Sequence, residues 1–158
     1  MPRFSPEIGF EETDRLARLL DGKLASLMRL RALCERQETL IDANDTKSLL
    51  ETIAEKDGWI ALLAGIERDL APYRDQPPEW RLWRAPAERE RCGRTAAECR
   101  LLLEEMVLRE KHCEDRLLAR RRDIAEMLRN MAAAEPDEPK WDRSCAVPGE
   151  STIMGNDL

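Results

Sequence analysis

Apolar residues recur at three- and four-residue steps along most of this chain, and charged residues fill many of the positions between them. This spacing is typical of amphipathic helices, because residues three and four apart lie on the same face. It predicts a first helix over residues 11–42 and a second over residues 46–70, separated by a polar break at residues 42–45. The first stripe consists of Leu16, Leu20, Leu24, Leu27, Leu30, Cys34 and Ile41, and the second of Leu49, Leu50, Ile53, Ile60, Leu63, Ile66 and Leu70.

The third and longest apolar pattern predicts a helix over residues 87–134. Its positions follow a near-heptad repeat, which is typical of a coiled-coil-like seam between long helices. Glu110 and Arg120 interrupt the repeat, because each occupies a position where the pattern requires an apolar side chain. The apolar positions are Cys92, Ala96, Cys99, Leu103, Met106, Cys113, Leu117, Ile124, Leu128 and Met131.

The remaining segments are rich in proline or lack periodicity. Residues 72–86 contain four prolines, so Pro72 is expected to end the second helix and the segment to form a connecting loop. Trp80 and Trp83 lie in this loop, and we expect them to fold back onto one end of the helices; an exposed anchor for a partner is the alternative. Residues 135–158 show little helical pattern and are predicted to form a flexible tail.

These elements predict an all-α fold. The short polar break makes the first two helices antiparallel neighbours, and the proline-rich loop returns the chain so that the third helix packs along both. We therefore expect one helical-bundle domain over residues 1–134. Its predicted architecture is an elongated antiparallel bundle of three long helices with coiled-coil-like packing.

The composition favours helices over strands and narrows the class of protein. Hydrophobic residues make up 42% of the 158 residues but aromatic residues only 4%, whereas strands favour β-branched and aromatic side chains. No apolar run approaches the roughly 20 residues that cross a bilayer, and residues 1–5 lack the apolar stretch of a signal peptide. The five cysteines, an odd number, fit reduced thiols. We therefore expect a cytoplasmic protein without stable membrane insertion.

The charge of the chain argues against nucleic acid as a general partner. Its 26 basic and 32 acidic residues give a formal net charge of −6, whereas nucleic-acid binders normally carry a basic surplus. Residues 120–122 are three consecutive arginines, but Asp115, Asp123 and Glu126 accompany them, which favours a solvated charged face. Binding of phosphate or of an anionic membrane surface is the alternative for this cluster.

No group of residues in the sequence matches a known catalytic or metal-binding arrangement. Cys92, Cys99 and Cys113 share one helical face, but residues seven apart on a helix are roughly 10 Å apart, too far to ligate one zinc ion. His112 is the only histidine, and it points away from Cys113 because adjacent helical residues diverge. We therefore predict a protein that is not an enzyme and has neither a metal nor a cofactor.

The methionines near the end of the third helix suggest a binding surface. Met127, Leu128 and Met131 lie where the predicted first two helices, being shorter, leave the third without full cover. Unbranched methionine side chains suit a groove that accepts an apolar partner helix. Simple packing at the end of the bundle explains the same residues equally well, so both interpretations stay open.

Three phrases in the sequence resemble those of flagellar export chaperones of the FlgN type. The first is Leu40–Asp45, which precedes the second helix, and the second is Ala54–Asp57 within that helix. The third is Leu117–Ile124, where a leucine pair precedes a basic stretch and another apolar residue. The resemblance spans about residues 13–131 and consists of helical patterns.

The resemblance implies a cytoplasmic chaperone for the hook–filament junction proteins. Such chaperones bind the amphipathic C-terminal helix of their cargo, prevent its premature association and deliver it to the flagellar type III export apparatus. The residues expected to contact the cargo are Leu117, Ile124, Met127, Leu128 and Met131, with Trp141 of the tail folding onto the cargo or shielding the empty groove. The alternative is a structural scaffold that self-associates through its heptad seam, with no chaperone role.

Overall fold

The computed structural model describes residues 8–134, and within this range the protein is all-α. The three helices are α1 (Phe10–Asp42), α2 (Thr46–Arg74) and α3 (Pro86–Ala133), and a short 3₁₀ turn, Pro78–Trp80, lies between α2 and α3. The described part of the chain contains no strand, only an isolated bridge between Ile8 and Arg81. The predicted fold class, a bundle of three helices, is confirmed. The predicted tail over residues 135–158 lies outside the described residues.

The break between α1 and α2 forms as the polar sequence predicts. Asn44 adopts a positive φ of 58°, a conformation that asparagine tolerates better than most residues. The next residue, Asp45, is the N-cap of α2, and its carboxylate accepts a hydrogen bond from the Ser48 backbone N–H at 3.1 Å. This bond satisfies one of the backbone donors that the first turn of a helix leaves free.

The predicted end of α2 at residue 70 is wrong, because the helix continues through Pro72 to Arg74. Proline is unfavourable inside a helix, since it lacks an N–H and crowds the preceding turn. Here the last turn is held by tertiary contacts of Tyr73, which is buried. The Tyr73 hydroxyl donates to Glu12 Oε2 at 2.7 Å, and the Tyr73 carbonyl accepts a hydrogen bond from Arg81 Nη2 at 2.6 Å. The loop is therefore shorter than predicted.

Contacts between α1 and α2 show that these helices are antiparallel. Near the start of α1, Glu12 contacts Tyr73 at the end of α2. Further along α1, Arg29 pairs with Glu55 in the first half of α2 at 2.5 Å.

Helix α3 runs parallel to α1, so consecutive helices alternate in direction as the turn lengths predict. Asp21 of α1 accepts a hydrogen bond from Arg91 of α3 at 3.1 Å, and Glu38 pairs with Arg109 at 3.3 Å. Residue numbers therefore rise together along the two helices. These contacts lie within residues 8–120.

Two clusters of buried side chains form the core, and all three helices contribute to their packing. The first core cluster has Leu16, Leu70, Tyr73 and Cys92 as its buried members. The second core cluster has Leu27, Leu30, Cys99, Leu102 and Met106 as its buried members, and Trp59 and Leu63 of α2 pack against it.

Two details of the predicted stripes differ from the structure. On α3, Leu102 is buried and Leu103 is 41% exposed, because the contacts follow three- and four-residue steps from Cys99 to Met106. On α2, the interior includes the polar side chains of Thr52 and Lys56, whereas Leu50 and Ile60 of the predicted stripe are exposed. Whether each of these side chains is buried depends on which side chains of the other helices face it, and periodicity does not identify those.

The distribution of contacts divides the chain into two units, residues 1–120 and residues 121–158. The division falls within α3, whereas the sequence predicted one domain that ends near residue 134. Within residues 8–134, no helix is long and apolar enough to cross a membrane.

Candidate partner-binding surface

The first interruption of the heptad pattern, Glu110, belongs to a polar layer inside the bundle, formed by Cys34, Gln37, Lys56 and Glu110. The Lys56 side chain is 8% exposed, and its ammonium pairs with the Glu110 carboxylate. It also donates to Gln37 Oε1 at 2.7 Å. Glu110 is itself 45% exposed, so this carboxylate contacts both the layer and solvent. These two oxygen partners offset the free-energy cost of removing the ammonium from water.

Cys34 completes the polar layer as a thiol donor. Its Sγ donates to Glu110 Oε1 at 3.1 Å. Burial, together with this hydrogen bond to a carboxylate, raises the pKa of the Cys34 thiol to about 12. The thiol is therefore protonated near neutral pH and is a poor nucleophile. The sequence pattern marks Glu110 as an interruption but does not identify Lys56, Gln37 or Cys34 as its neighbours.

The second interruption, Arg120 of α3, contacts the C-terminal end of α1. Its Nη1 donates to the backbone carbonyl of Ile41 at 2.7 Å. Carbonyls in the last turn of a helix lack helical partners and carry partial negative charge, so a guanidinium there is favourable. Arg120 thus has a structural contact, which separates it from the rest of the predicted arginine cluster.

The cysteines of α3 are buried side chains of the helix interface. Cys92, Cys99 and Cys113 are free thiols, as is Cys34 of α1. Burial raises the pKa of each of the three α3 thiols. Within residues 8–134, no group of three or more histidine, cysteine or acidic side chains is arranged to hold a metal ion.

The tryptophan loop is tied to the start of α1. Trp83 is partly buried and packs against the first core cluster, the location favoured by the sequence. Ile8 N–H donates to the Trp80 carbonyl at 2.9 Å, and Leu82 N–H donates to the Ile8 carbonyl at 3.0 Å. The Thr13 hydroxyl donates to the Leu82 carbonyl at 2.8 Å, so the loop has defined backbone partners.

Four of the six predicted partner-binding residues form an exposed strip on the last part of α3, within residues 121–133. Leu117 belongs to the other unit, where its side chain is half-buried. Trp141 lies outside the described residues. The members of the exposed strip and their exposed fractions are Ile124 (50%), Met127 (61%), Leu128 (60%) and Met131 (62%).

The exposed strip is a continuous apolar face with opposite charges along its two edges. Its members follow the i, i+3, i+4, i+7 spacing of one helical face. With about 100° between successive helical residues, Asp123 falls on one edge and Arg121 on the other. On the acidic edge, Met127 and Met131 line a shallow concavity of about 460 Å³ together with Asp123 and Glu126.

Other exposed apolar side chains occur in the first unit but are more dispersed. On α3, Leu101 is 65% and Leu108 is 70% exposed, and the charged residues Glu104, Glu105 and Lys111 lie near them in sequence. Single exposed leucines are common on protein surfaces. The four contiguous side chains of the exposed strip are therefore the stronger candidate for contact with a partner.

Comparison with known proteins identifies no relative: no family model, curated protein or solved structure matches the chain.

Proposed function

We propose that the protein is a cytoplasmic export chaperone of the FlgN type, which binds the amphipathic C-terminal helix of a hook–filament junction protein and delivers it to the flagellar type III export apparatus. The observation that supports this proposal is the exposed strip, four contiguous apolar side chains on one face of α3. The resemblance in sequence to that chaperone family supplies the identity of the cargo.

The chemistry of the exposed strip suits a helical cargo. An amphipathic helix presents its own apolar residues at the same three- and four-residue spacing, so two such faces can interdigitate. Methionine side chains are unbranched and polarizable, and they adapt to partners of different shape. Two of the four members are methionines, Met127 and Met131, which suits a surface that must bind and later release its cargo.

The edges of the exposed strip define the charges expected on the cargo. Asp123 favours a helix that carries lysine or arginine along the facing edge, and Arg121 favours an acidic residue on the opposite edge. Because these charges are exposed, they contribute modestly to affinity and mainly to orientation and association rate. The cargo helix is therefore expected to have a basic and an acidic edge on either side of its apolar stripe.

Isothermal titration with a synthetic peptide tests this proposal. The peptide is the C-terminal segment of the hook–filament junction protein encoded in the same genome. We expect saturable 1:1 binding that Met127→Asp combined with Met131→Asp weakens by about tenfold or more, because each aspartate places an unpaired charge in an apolar contact. Unchanged binding by this double variant would exclude the exposed strip as the cargo site.

A matched control for this experiment lies on the same helix. Leu101→Asp combined with Leu108→Asp introduces the same two charges at side chains that are equally exposed but lie outside the exposed strip. We expect this variant to bind the peptide as the unmodified protein does. Light scattering on the same samples addresses the self-associating scaffold: a dimer that the Met127 and Met131 substitutions dissociate, without peptide binding by any variant, would favour the scaffold over the chaperone.

A further inference from the structure

A cavity of about 210 Å³ lies where α1, the tryptophan loop and the first turns of α3 meet. Apolar side chains form much of its lining, among them Leu16, Leu20, Trp83 and Cys92. The cavity is smaller than the pockets that hold drug-sized ligands, and its volume suits a group about as large as one amino-acid side chain.

Two arginines, Arg81 and Arg89, are the charged residues of the lining, and no acidic residue accompanies them. Arg81 Nη2 donates a hydrogen bond to the Tyr73 carbonyl. Burial raises the pKa of the Cys92 thiol, and the positive charge of Arg81 is close enough to oppose that rise. Neither Arg81 nor Arg89 pairs with a carboxylate within residues 8–134. The lining is therefore cationic without an internal counter-charge.

Nearby arginines of the same region do have acidic partners. Arg84 pairs with Asp14 at 3.0 Å, and Arg91 pairs with Asp21 at 3.1 Å. In a chain with a formal net charge of −6, acidic residues are the more abundant charged type. Acidic partners are therefore present for Arg84 and Arg91 in this region, whereas the cavity itself is lined by two arginines and no carboxylate.

Gly93 contributes to the space inside the cavity. Glycine is unfavourable within a helix, and a Cβ atom at Gly93 would have no other atom within 4 Å. Close packing therefore does not require glycine at this position. Because Gly93 lines the cavity, a larger side chain here can occupy part of it without a clash at the Cβ position.

We propose that this cavity binds a carboxylate attached to an apolar group of about one side chain in size. The guanidinium groups of Arg81 and Arg89 would pair with the carboxylate, because arginine forms strong, directional hydrogen bonds to carboxylates. The apolar group would lie against Trp83, Leu16 and Leu20. This chemistry is shared by the C-terminal residue of a peptide and by a free short-chain carboxylic acid.

Two-dimensional NMR titrations of the full chain test this proposal with three small probes: N-acetyl-phenylalanine, its C-terminal amide and octanoate. A ligand of this size is expected to bind with a Kd on the order of 1 mM. We expect N-acetyl-phenylalanine to shift the resonances of the Trp83 indole and the Gly93 amide, and the amide probe to have no such effect. Octanoate binding without binding of N-acetyl-phenylalanine would identify a free acid as the ligand, and the reverse would identify a peptide C-terminus.

Two substitutions locate the binding. Gly93→Met, which fills the cavity, and Arg89→Gln, which removes one cation, should each weaken binding by about tenfold or more. Gly58→Met is the control, because Gly58 is a helical glycine with equally open space but lies outside the cavity. Circular dichroism verifies that each variant is helical. Equal binding of the acid and its amide, no binding of either acid, or full binding by both cavity variants would overturn the proposal.

Discussion

One face of α3 has two different environments along its length. Between residues 92 and 113 it carries the buried apolar side chains of the helix, among them Met106, which is 8% exposed, and Cys113, which is 1% exposed. Between residues 121 and 133 the same kind of sequence pattern gives side chains such as Met127 and Met131, which are about three-fifths exposed. A near-heptad pattern therefore identifies a face that can bind apolar surface, but not whether that surface belongs to the same chain.

The two environments should differ most in their contribution to stability. Met106→Ala removes a side chain from the second core cluster, so we expect it to lower the free energy of unfolding by about 2–4 kcal/mol. Met127→Ala removes the same side chain from the exposed strip, and we expect a change within about 0.5 kcal/mol. Chemical denaturation monitored by circular dichroism measures both values. Similar losses for the two variants would contradict the proposed difference between these parts of α3.

A second comparison concerns two glutamates of α3. Glu110→Leu leaves the buried ammonium of Lys56 with Gln37 as its remaining partner in the polar layer, so we expect a loss of about 2 kcal/mol in the free energy of unfolding. Glu126→Leu, at an exposed position in the last part of α3, should change it by less than about 0.5 kcal/mol.

The polar layer is tested more closely by a double variant. Lys56→Met combined with Glu110→Leu replaces both charged partners with apolar groups of similar size. We expect most of the loss caused by Glu110→Leu to be recovered, because no unpaired charge is then buried. A double variant that is less stable than Glu110→Leu alone would show that Lys56 stabilises the fold by some other contact.

The last comparison concerns the dependence of stability on alkaline pH. The folded pKa of the Cys34 thiol, about 12, lies above its ordinary value of 9.0, so the folded state retains this proton more strongly than the unfolded state. The resulting stabilisation is fully present below pH 9 and is lost as the pH rises toward 12. Cys34→Ala should therefore show a shallower decline of stability over this range in denaturation series at fixed pH. Identical slopes for the two proteins would contradict the assignment.

The sequence alone predicted the helices well because each carries its own periodicity. The start of α2 was predictable to within one residue, since Asn44 and Asp45 are both strong N-cap residues; the structure has Asp45 as the N-cap. The end of α2 was not, because the turn after Pro72 is held by the contacts of Tyr73 with Glu12 and Arg81, which come from other segments.

The sites were less predictable than the helices for the same reason. The pattern marked Glu110 and Arg120 as exceptions, but their partners Lys56 and Ile41 lie on other helices, and only the folded chain brings them together. The members of the exposed strip were identifiable by their spacing. Whether they were exposed was not, because the sequence fitted a partner-binding groove and packing at the end of the bundle equally well. The cavity beside Gly93 has no signature in the sequence, since its lining comes from three separate segments.

Methyl resonances of the methionines provide the most direct test of the exposed strip as the partner-binding surface. Protein labelled with ¹³C at the methionine methyl groups is titrated with the C-terminal peptide of the hook–filament junction protein. We expect the methyl resonances of Met127 and Met131 to shift. The resonances of Met106, which is buried, and of Met28, which is on α1 and 56% exposed, should remain unchanged. Shifts at Met28 without shifts at Met127 and Met131, or no shifts at saturating peptide, would contradict the proposed surface.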